Sequence, residues 1–115
     1  MSKNRNFNIN SEIELEVLKE GLSRKIVAYS DEIMMVEVNF TAGVEFGDLH
    51  AHPDHEQITY VKSGKFKFTI GDNTQVVGAG DTLFMEKNVL HGAECLESGV
   101  LLDTFTPMRA YFLEK

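Results

Sequence analysis

The sequence has one cysteine, no tryptophan, two prolines and few basic residues, with 11 Lys and Arg against 18 Asp and Glu. Because Cys95 is the single cysteine, no disulfide can form within the chain, which favours a reducing compartment. The net charge of −7 argues against a nucleic-acid partner, since phosphate backbones are bound by clustered basic residues. Residues 1–10 lack the apolar core of a signal peptide, and no apolar run is long enough to span a membrane. We therefore expect a cytoplasmic protein with no membrane partner.

The length of 115 residues predicts a single domain covering residues 1–115. Residues 1–11 are polar and rich in Asn, and we expect a flexible N-terminal arm or an added edge strand. Residues 107–115 form the expected C-terminal tail, in which RAYFLEK is compatible with a short helical turn. No internal repeat or linker divides the chain.

Short β-strand patterns dominate the rest. In IMMVEVNF the apolar Met34, Val36 and Val38 share one face, and KFKFTI alternates apolar with polar residues in the same way. The segment SEIELEVLKE also alternates, and we interpret it as a strand or extended segment. Turns containing glycine are predicted at TAG, SG, GDN, GAGD and ESG. This spacing predicts an all-β sandwich or barrel.

Three of the four histidines, His50, His52 and His55, lie within six positions. His50 and His52 are two residues apart, so a strand would direct both imidazoles to the same side. The fourth, His91, follows a Gly-Asp turn and an apolar run, where it could complete a metal site. Histidines also gather in ordinary surface loops, so the pair alone does not establish a metal site.

The spacing around the first histidines resembles a motif of the cupin family, G-x5-H-x-H-x(3,4)-E-x6-G. His50, His52 and Gly64 fit that spacing, while the leading Gly43 lies one residue early. Counting back from Gly64 by the family interval gives Gln57, so an amide replaces the acidic ligand of the common motif. The resemblance implies a single-domain jelly-roll β-barrel (a double-stranded β-helix) with a metal inside it.

A second cupin motif, G-x5-P-x-G-x2-H-x3-N, resembles the segment from Gly80 to His91, with the same eleven-residue offset. Glu86 takes the Pro position, Asn88 the Gly position and Cys95 the terminal Asn position. Since asparagine tolerates a left-handed backbone better than most residues, Asn88 can still make the turn that glycine usually makes.

Three longer blocks, HPDHEQITYVKSGKFKFTIGD, GAGDTLFMEKNVLHG and LLDTFTPMRAYFL, resemble the pectin-degradation cupins of the KdgF type. Those proteins have a Gln ligand and a D-x-F-x3-R element, which Asp103, Phe105 and Arg109 match here. The resemblance implies an isomerase-type enzyme that opens the ring of 4,5-unsaturated monouronates from pectin and alginate breakdown. Its product would be the linear 5-keto-4-deoxyuronate. By analogy with small cupins, we also expect a homodimer.

The resemblance implies that His50, His52, Gln57 and His91 bind one divalent transition metal ion. All four donors are neutral, so the ion would keep most of its charge and act as a strong Lewis acid. Nickel, zinc, manganese and iron all suit such a set. Together with Arg109, the ion would supply the local positive charge that a carboxylated sugar requires in an acidic protein.

The three residues of the C-terminal element have expected roles and simpler alternatives. Asp103 is the candidate proton carrier, Phe105 would pack on a sugar face, and Arg109 would pair with the substrate carboxylate. Alternatively, Asp103 hydrogen-bonds within the fold, Phe105 belongs to the core and Arg109 is a surface charge.

Four further residues have weaker candidate roles. His55 is expected to be a solvated loop residue, or to contact one of the metal ligands without binding the metal itself. Glu56 should point away from Gln57 and could bind a metal only through a bulge. Glu37 could face a pocket, and Cys95 is expected to be a small buried apolar residue.

Two other functions remain open for a cupin-like barrel. A metal-dependent oxygenase would consume oxygen with its substrate. A non-catalytic sugar-binding or uronate-binding protein would hold its ligand without converting it.

Overall fold

The computed structural model describes residues 6–44 and 54–113. Within these ranges, seven strands form one antiparallel sheet, which confirms the predicted all-β class. The strands are β1 (Glu16–Lys19), β2 (Leu22–Tyr29), β3 (Met34–Phe40), β4 (Glu56–Ile70), β5 (Asn73–Gly78), β6 (Thr82–Met85) and β7 (His91–Thr106). Short 3-10 turns occur at Asn10–Glu12 and Ala110–Leu113, the second of them where a helical turn was expected. None of these described segments is a helix long and apolar enough to cross a membrane.

The strand order is β1-β2-β3-β7-β4-β5, with β6 paired to β4. The two long strands, β4 and β7, pair along most of their length. The first half of β4 lies between β6 and the second half of β7, whereas its second half lies between β5 and the first half of β7. Because β4 and β7 connect the two halves of the sheet, residues on their inner face line one continuous interior.

The apolar face predicted for β3 is buried in that interior. Met34, Val36, Val38 and Phe40 are all at most 5% exposed. The ring of Phe40 meets that of Phe66 in β4 edge to face, with centroids 5.1 Å apart. Aromatic and β-branched residues favour strands because they pack well on a pleated, half-buried surface, and here they fill the core.

The predicted turns at SG and ESG are bulges inside β4 and β7, not chain reversals. In β4 the buried residues have odd numbers up to Val61 and even numbers from Phe66 onward. The pairing register with β7 shifts between these two residues. At this point Gly64 and Gly99 bring the two backbones together, and a Cβ atom added to Gly99 would lie 2.1 Å from the carbonyl oxygen of Ser63. Glycine is thus required by close backbone approach, which allows each strand to bend and continue.

The segment 11–20, expected to be a strand or an extended segment, forms a paired strand over β1. A 3-10 turn at Asn10–Glu12 precedes it, and Ile13 is extended. Leu15 and Val17 are 49% and 73% exposed. The alternation was therefore a poor guide to burial, because Leu15 precedes the strand and Val17 lies on β1, which is at the edge of the sheet.

Candidate functional site

A few of the side chains buried in the barrel interior are polar or charged. Among the described residues, five polar or charged side chains are at most 7% exposed: Gln57, Thr59, His91, Asp103 and Arg109. Gln57 and Thr59 are two apart in β4 and therefore share its inner face. The antiparallel register places Thr59 directly opposite Asp103 in β7, and Gln57 opposite Phe105. Strand pairing alone thus brings a proposed metal ligand and the candidate proton carrier to neighbouring positions.

These side chains form a directed chain of hydrogen bonds. The amide Nε2 of Gln57 donates to the hydroxyl oxygen of Thr59 at 2.9 Å. The Thr59 hydroxyl in turn donates to Oδ1 of Asp103 at 2.7 Å. Thr59 is fully buried, so neither bond competes with bulk water.

Burial raises the pKa of the Asp103 carboxyl to about 6, because desolvation disfavours the charged form. Three smaller effects lower it: hydrogen bonding from Thr59, the positive charge of Arg109 and hydrogen bonding from Gln57. At neutral pH Asp103 is therefore mostly ionised, but close to its pKa. This is the property of a group that both accepts and returns a proton.

Arg109 lies inside the barrel end, which excludes the surface-charge alternative. Its guanidinium carbon is 4.8 Å from the ring centroid of Phe105 and 4.3 Å from that of Phe112. Desolvation lowers the pKa of Arg109 to about 10, the negative charge of Asp103 opposes that change, and Arg24 adds a small further lowering. Arg109 thus remains charged at neutral pH, held between two aromatic rings.

Phe105 belongs to the core, as the simpler alternative predicted. It is 2% exposed, and its ring meets that of Phe112 edge to face at 5.7 Å. In this structure Phe105 supports the guanidinium of Arg109, and contact between Phe105 and a sugar stays a prediction.

Sequence reasoning missed three residues next to this cluster. Thr59 resembles any strand-forming threonine, although its position two residues after Gln57 on an inner face was a usable signal. Phe112 covers the cluster from the second 3-10 turn. Arg24 lies with its guanidinium carbon 4.2 Å from the Phe112 ring and is held by Glu16 at 3.2 Å. Its register opposite the buried Val38 of β3 places Arg24 on an inner face.

Two of the four expected metal ligands, Gln57 and His91, are described, whereas His50 and His52 lie outside the described residues. Since Nε2 of Gln57 is directed to Thr59, the other atom of the amide, Oε1, is directed elsewhere and keeps its lone pairs. Nδ1 of His91 lies 3.1 Å from the carbonyl oxygen of Val89. A carbonyl only accepts, so Nδ1 donates to Val89, and in the neutral imidazole the lone pair is then on Nε2.

The turn before His91 explains how that histidine is placed. Asn88 adopts a φ of 63°, which confirms the left-handed turn expected at the glycine position of the motif. The chain then enters β7 with His91 4% exposed on the inner face. An amide oxygen and a neutral imidazole nitrogen, the donors expected from Gln57 and His91, both suit a transition metal. The described residues contain no group of three or more His, Cys, Asp and Glu that could hold a metal by itself.

The remaining candidates are not among these five buried polar residues. Nδ1 of His55 lies 2.9 Å from the carbonyl oxygen of Pro107, which joins the start of β4 to the end of β7. Glu56 is exposed and faces away from the buried Gln57, as predicted. Glu37 lies on the face of β3 opposite to its core residues. Cys95 is buried as expected, and burial raises the pKa of its thiol.

An antiparallel barrel of this topology, with a histidine and an amide facing its interior, defines a small single-domain cupin. The family model described as Cupin domain matches residues 36–105, and the chain belongs to the cupin family.

Within that family, the chain is similar to proteins of pectin breakdown. It is 43% identical to the pectin degradation protein KdgF of Dickeya dadantii (strain 3937), over 95% of this chain and 99% of the relative. The structure of KdgF from Halomonas sp. superposes with a TM-score of 0.89 at 33% identity, covering 95% of this chain and 99% of that one. An RmlC-like cupin from Shewanella frigidimarina NCIMB 400 gives a TM-score of 0.89 at 37% identity, covering 95% and 96%.

Proposed function

We propose that this protein is a metal-dependent cupin that converts 4,5-unsaturated monouronates, the products of pectin and alginate lyases, to linear 5-keto-4-deoxyuronate. The observation that carries the proposal is the buried Asp103, with a pKa of about 6, beside the buried positive charge of Arg109. Similarity to KdgF proteins over nearly the whole chain supports the same conclusion.

The reaction moves one proton and changes no oxidation state overall. Asp103 accepts the proton of the anomeric hydroxyl while the C1–O5 bond breaks, so that C1 becomes an aldehyde. The electron pair of that bond goes to O5 and gives an enolate across C4 and C5. Asp103 then returns the proton to C4, and C5 becomes a ketone. A carboxyl with a pKa just below neutrality suits both transfers.

Arg109 would bind the substrate carboxylate through its planar, two-pronged guanidinium. Phe105 and Phe112 hold that group in place. Gln57 and His91, together with His50 and His52, would hold the metal ion. When bound, the ion would act as a Lewis acid that stabilises negative charge on the ring oxygen.

The decisive experiment supplies purified protein with the monouronates released by a pectate or alginate lyase. We expect the ultraviolet absorbance of the unsaturated uronate to disappear faster than in buffer. Protein treated with a chelator should lose the acceleration and regain it when a divalent metal is restored. Metal-loaded protein that gives no acceleration would contradict the proposal, and oxygen uptake during the reaction would favour an oxygenase.

We also propose that the protein is a cytoplasmic homodimer that pairs through the outer face of the sheet. Ile58 in β4 pairs with Phe84 in β6 on one side and with Thr104 in β7 on the other. Thr104 in turn pairs with Met35 in β3, so these four residues form one row across the sheet. Ile58 is 54% and Phe84 56% exposed. An apolar row this exposed on a sheet is typical of a protein interface.

Replacing Ile58 with Asp should weaken the dimer, because it places a charge in the centre of the apolar row. We expect the dimer dissociation constant to rise about tenfold or more, corresponding to at least about 1.4 kcal/mol. Sedimentation over a range of concentrations measures it. The control is Val76→Asp, which changes an equally exposed apolar residue on β5. Equal effects of the two substitutions, or a monomeric wild-type protein, would contradict this interface.

A further inference from the structure

The fully buried hydroxyl of Thr59 lies between two residues with different tasks. One neighbour, Gln57, is a proposed metal ligand, and the other, Asp103, is the proposed proton carrier. Both hydrogen bonds have normal lengths, 2.9 Å and 2.7 Å. Thr59 takes no step in the proposed reaction, yet its hydroxyl is bonded to both of these side chains.

The direction of the chain follows from the atoms involved. A hydroxyl has one proton to donate, and Thr59 donates it to the Asp103 carboxylate, which can only accept. The remaining partner of the hydroxyl oxygen must therefore be a donor, so Gln57 must turn its NH₂ group towards Thr59. The amide oxygen of Gln57 then points away from Thr59. If the amide were reversed, two acceptor oxygens would face each other inside the barrel.

We propose that Thr59 is a positioning residue that makes Gln57 a metal ligand through its oxygen and holds the Asp103 carboxyl in a single orientation. This inference rests on the proposed function, and it concerns how two separate parts of that site are aligned by one side chain. Some groups hydrogen-bond to a metal ligand and fix its orientation without touching the metal. Removing such a group commonly lowers metal affinity or activity by about 10- to 100-fold.

Two substitutions distinguish the effect of the Thr59 hydroxyl from the effect of the side chain's shape. Thr59→Val keeps the branched shape and removes the hydroxyl, whereas Thr59→Ser keeps the hydroxyl and removes a methyl group. The control is Thr69→Val, the same change at the other end of β4, where Thr69 and Thr74 hydroxyls pair at 2.9 Å near the surface. All four proteins are compared for affinity towards Ni²⁺, Zn²⁺ and Mn²⁺, each presented alone in competition with a chelating dye, and for kcat on the unsaturated uronate.

We expect Thr59→Val to lower metal affinity and kcat by about 10- to 100-fold each, and Thr59→Ser to restore most of both. Thr69→Val should match the wild-type protein. The side-chain amide resonances of Gln57 in the metal-free protein give an independent signature: they should be preserved in Thr59→Ser and shifted in Thr59→Val. A purely structural role would instead lower the melting temperature without this selective loss.

Three results would overturn the inference. They are wild-type metal affinity in Thr59→Val, equal damage in the Ser and Val variants, and failure of the wild-type protein to bind any of the three metals. Failure of the proposed function gives a different pattern. The wild-type protein would then leave the uronate unchanged, while the metal affinities and amide resonances still differed between the Ser and Val variants.

Discussion

Replacing Asp103 with Asn should lower the rate of uronate ring opening by about 10²- to 10⁴-fold, the range typical of a lost general acid or base. Asparagine keeps the shape of the side chain and an oxygen that accepts from Thr59, but it cannot carry a proton. The metal ligands are unchanged, so metal content should remain that of the wild-type protein. The measurement pairs the initial rate of absorbance loss with metal analysis of the same sample.

The same substitution should stabilise the metal-free protein above about pH 6. Burial raises the pKa of Asp103 from 3.8 to about 6, so the folded state binds this proton more tightly than the unfolded state. Stability from this group is complete below pH 4 and is lost as the pH rises through 6. The loss amounts to about 3 kcal/mol, and Asp103→Asn should avoid it.

Urea unfolding of chelator-treated protein between pH 4 and pH 8 tests whether stability falls with rising pH as predicted. The stability difference between Asp103→Asn and wild type should be small at pH 4, increase to pH 6 and then level off. Asp72→Asn, which removes an exposed acid from the turn after β4, serves as the control and should change neither rate nor pH profile. A variant at Asp103 that kept the wild-type rate would show that another group carries the proton.

The strand pattern and several site residues could be predicted because each depends on local spacing. The opposite faces of Glu56 and Gln57 follow from the period of a strand, and the left-handed turn at Asn88 follows from its place in a motif. Burial of Asp103 and Phe105 on one side of β7 follows from the same period.

The features that were missed depend on pairing between distant strands. Thr59 becomes important only because the register sets it opposite Asp103, which is 44 residues away. The glycines at 64 and 99 resemble turn residues in the sequence, and their role as bulges follows from the close approach of β4 to β7. Arg109 could not be distinguished from a surface charge, because its burial depends on how the C-terminal segment packs on Phe105 and Phe112.

Replacing Arg109 with Met should lower kcat/KM by about 10- to 10²-fold, mainly through a higher KM. A charge-assisted hydrogen bond to a carboxylate contributes about 1.5–3 kcal/mol, and methionine keeps the apolar contact with both rings while losing that bond. Arg109→Lys keeps the charge without the two-pronged geometry, so its kcat/KM should lie between those of the other two proteins.

The pH profile distinguishes this role from simple loss of packing. The charge of Arg109 lowers the pKa of Asp103, so Arg109→Met should raise that pKa and move the acidic limb of the rate profile to higher pH. Arg109→Lys should move it less. The control is Lys65→Met, which removes an exposed cation 3.3 Å from Glu97 and should leave KM and the profile unchanged. If Arg109→Met kept the wild-type KM, the substrate carboxylate would have to bind elsewhere, and the inner-face Arg24 would be the next residue to test.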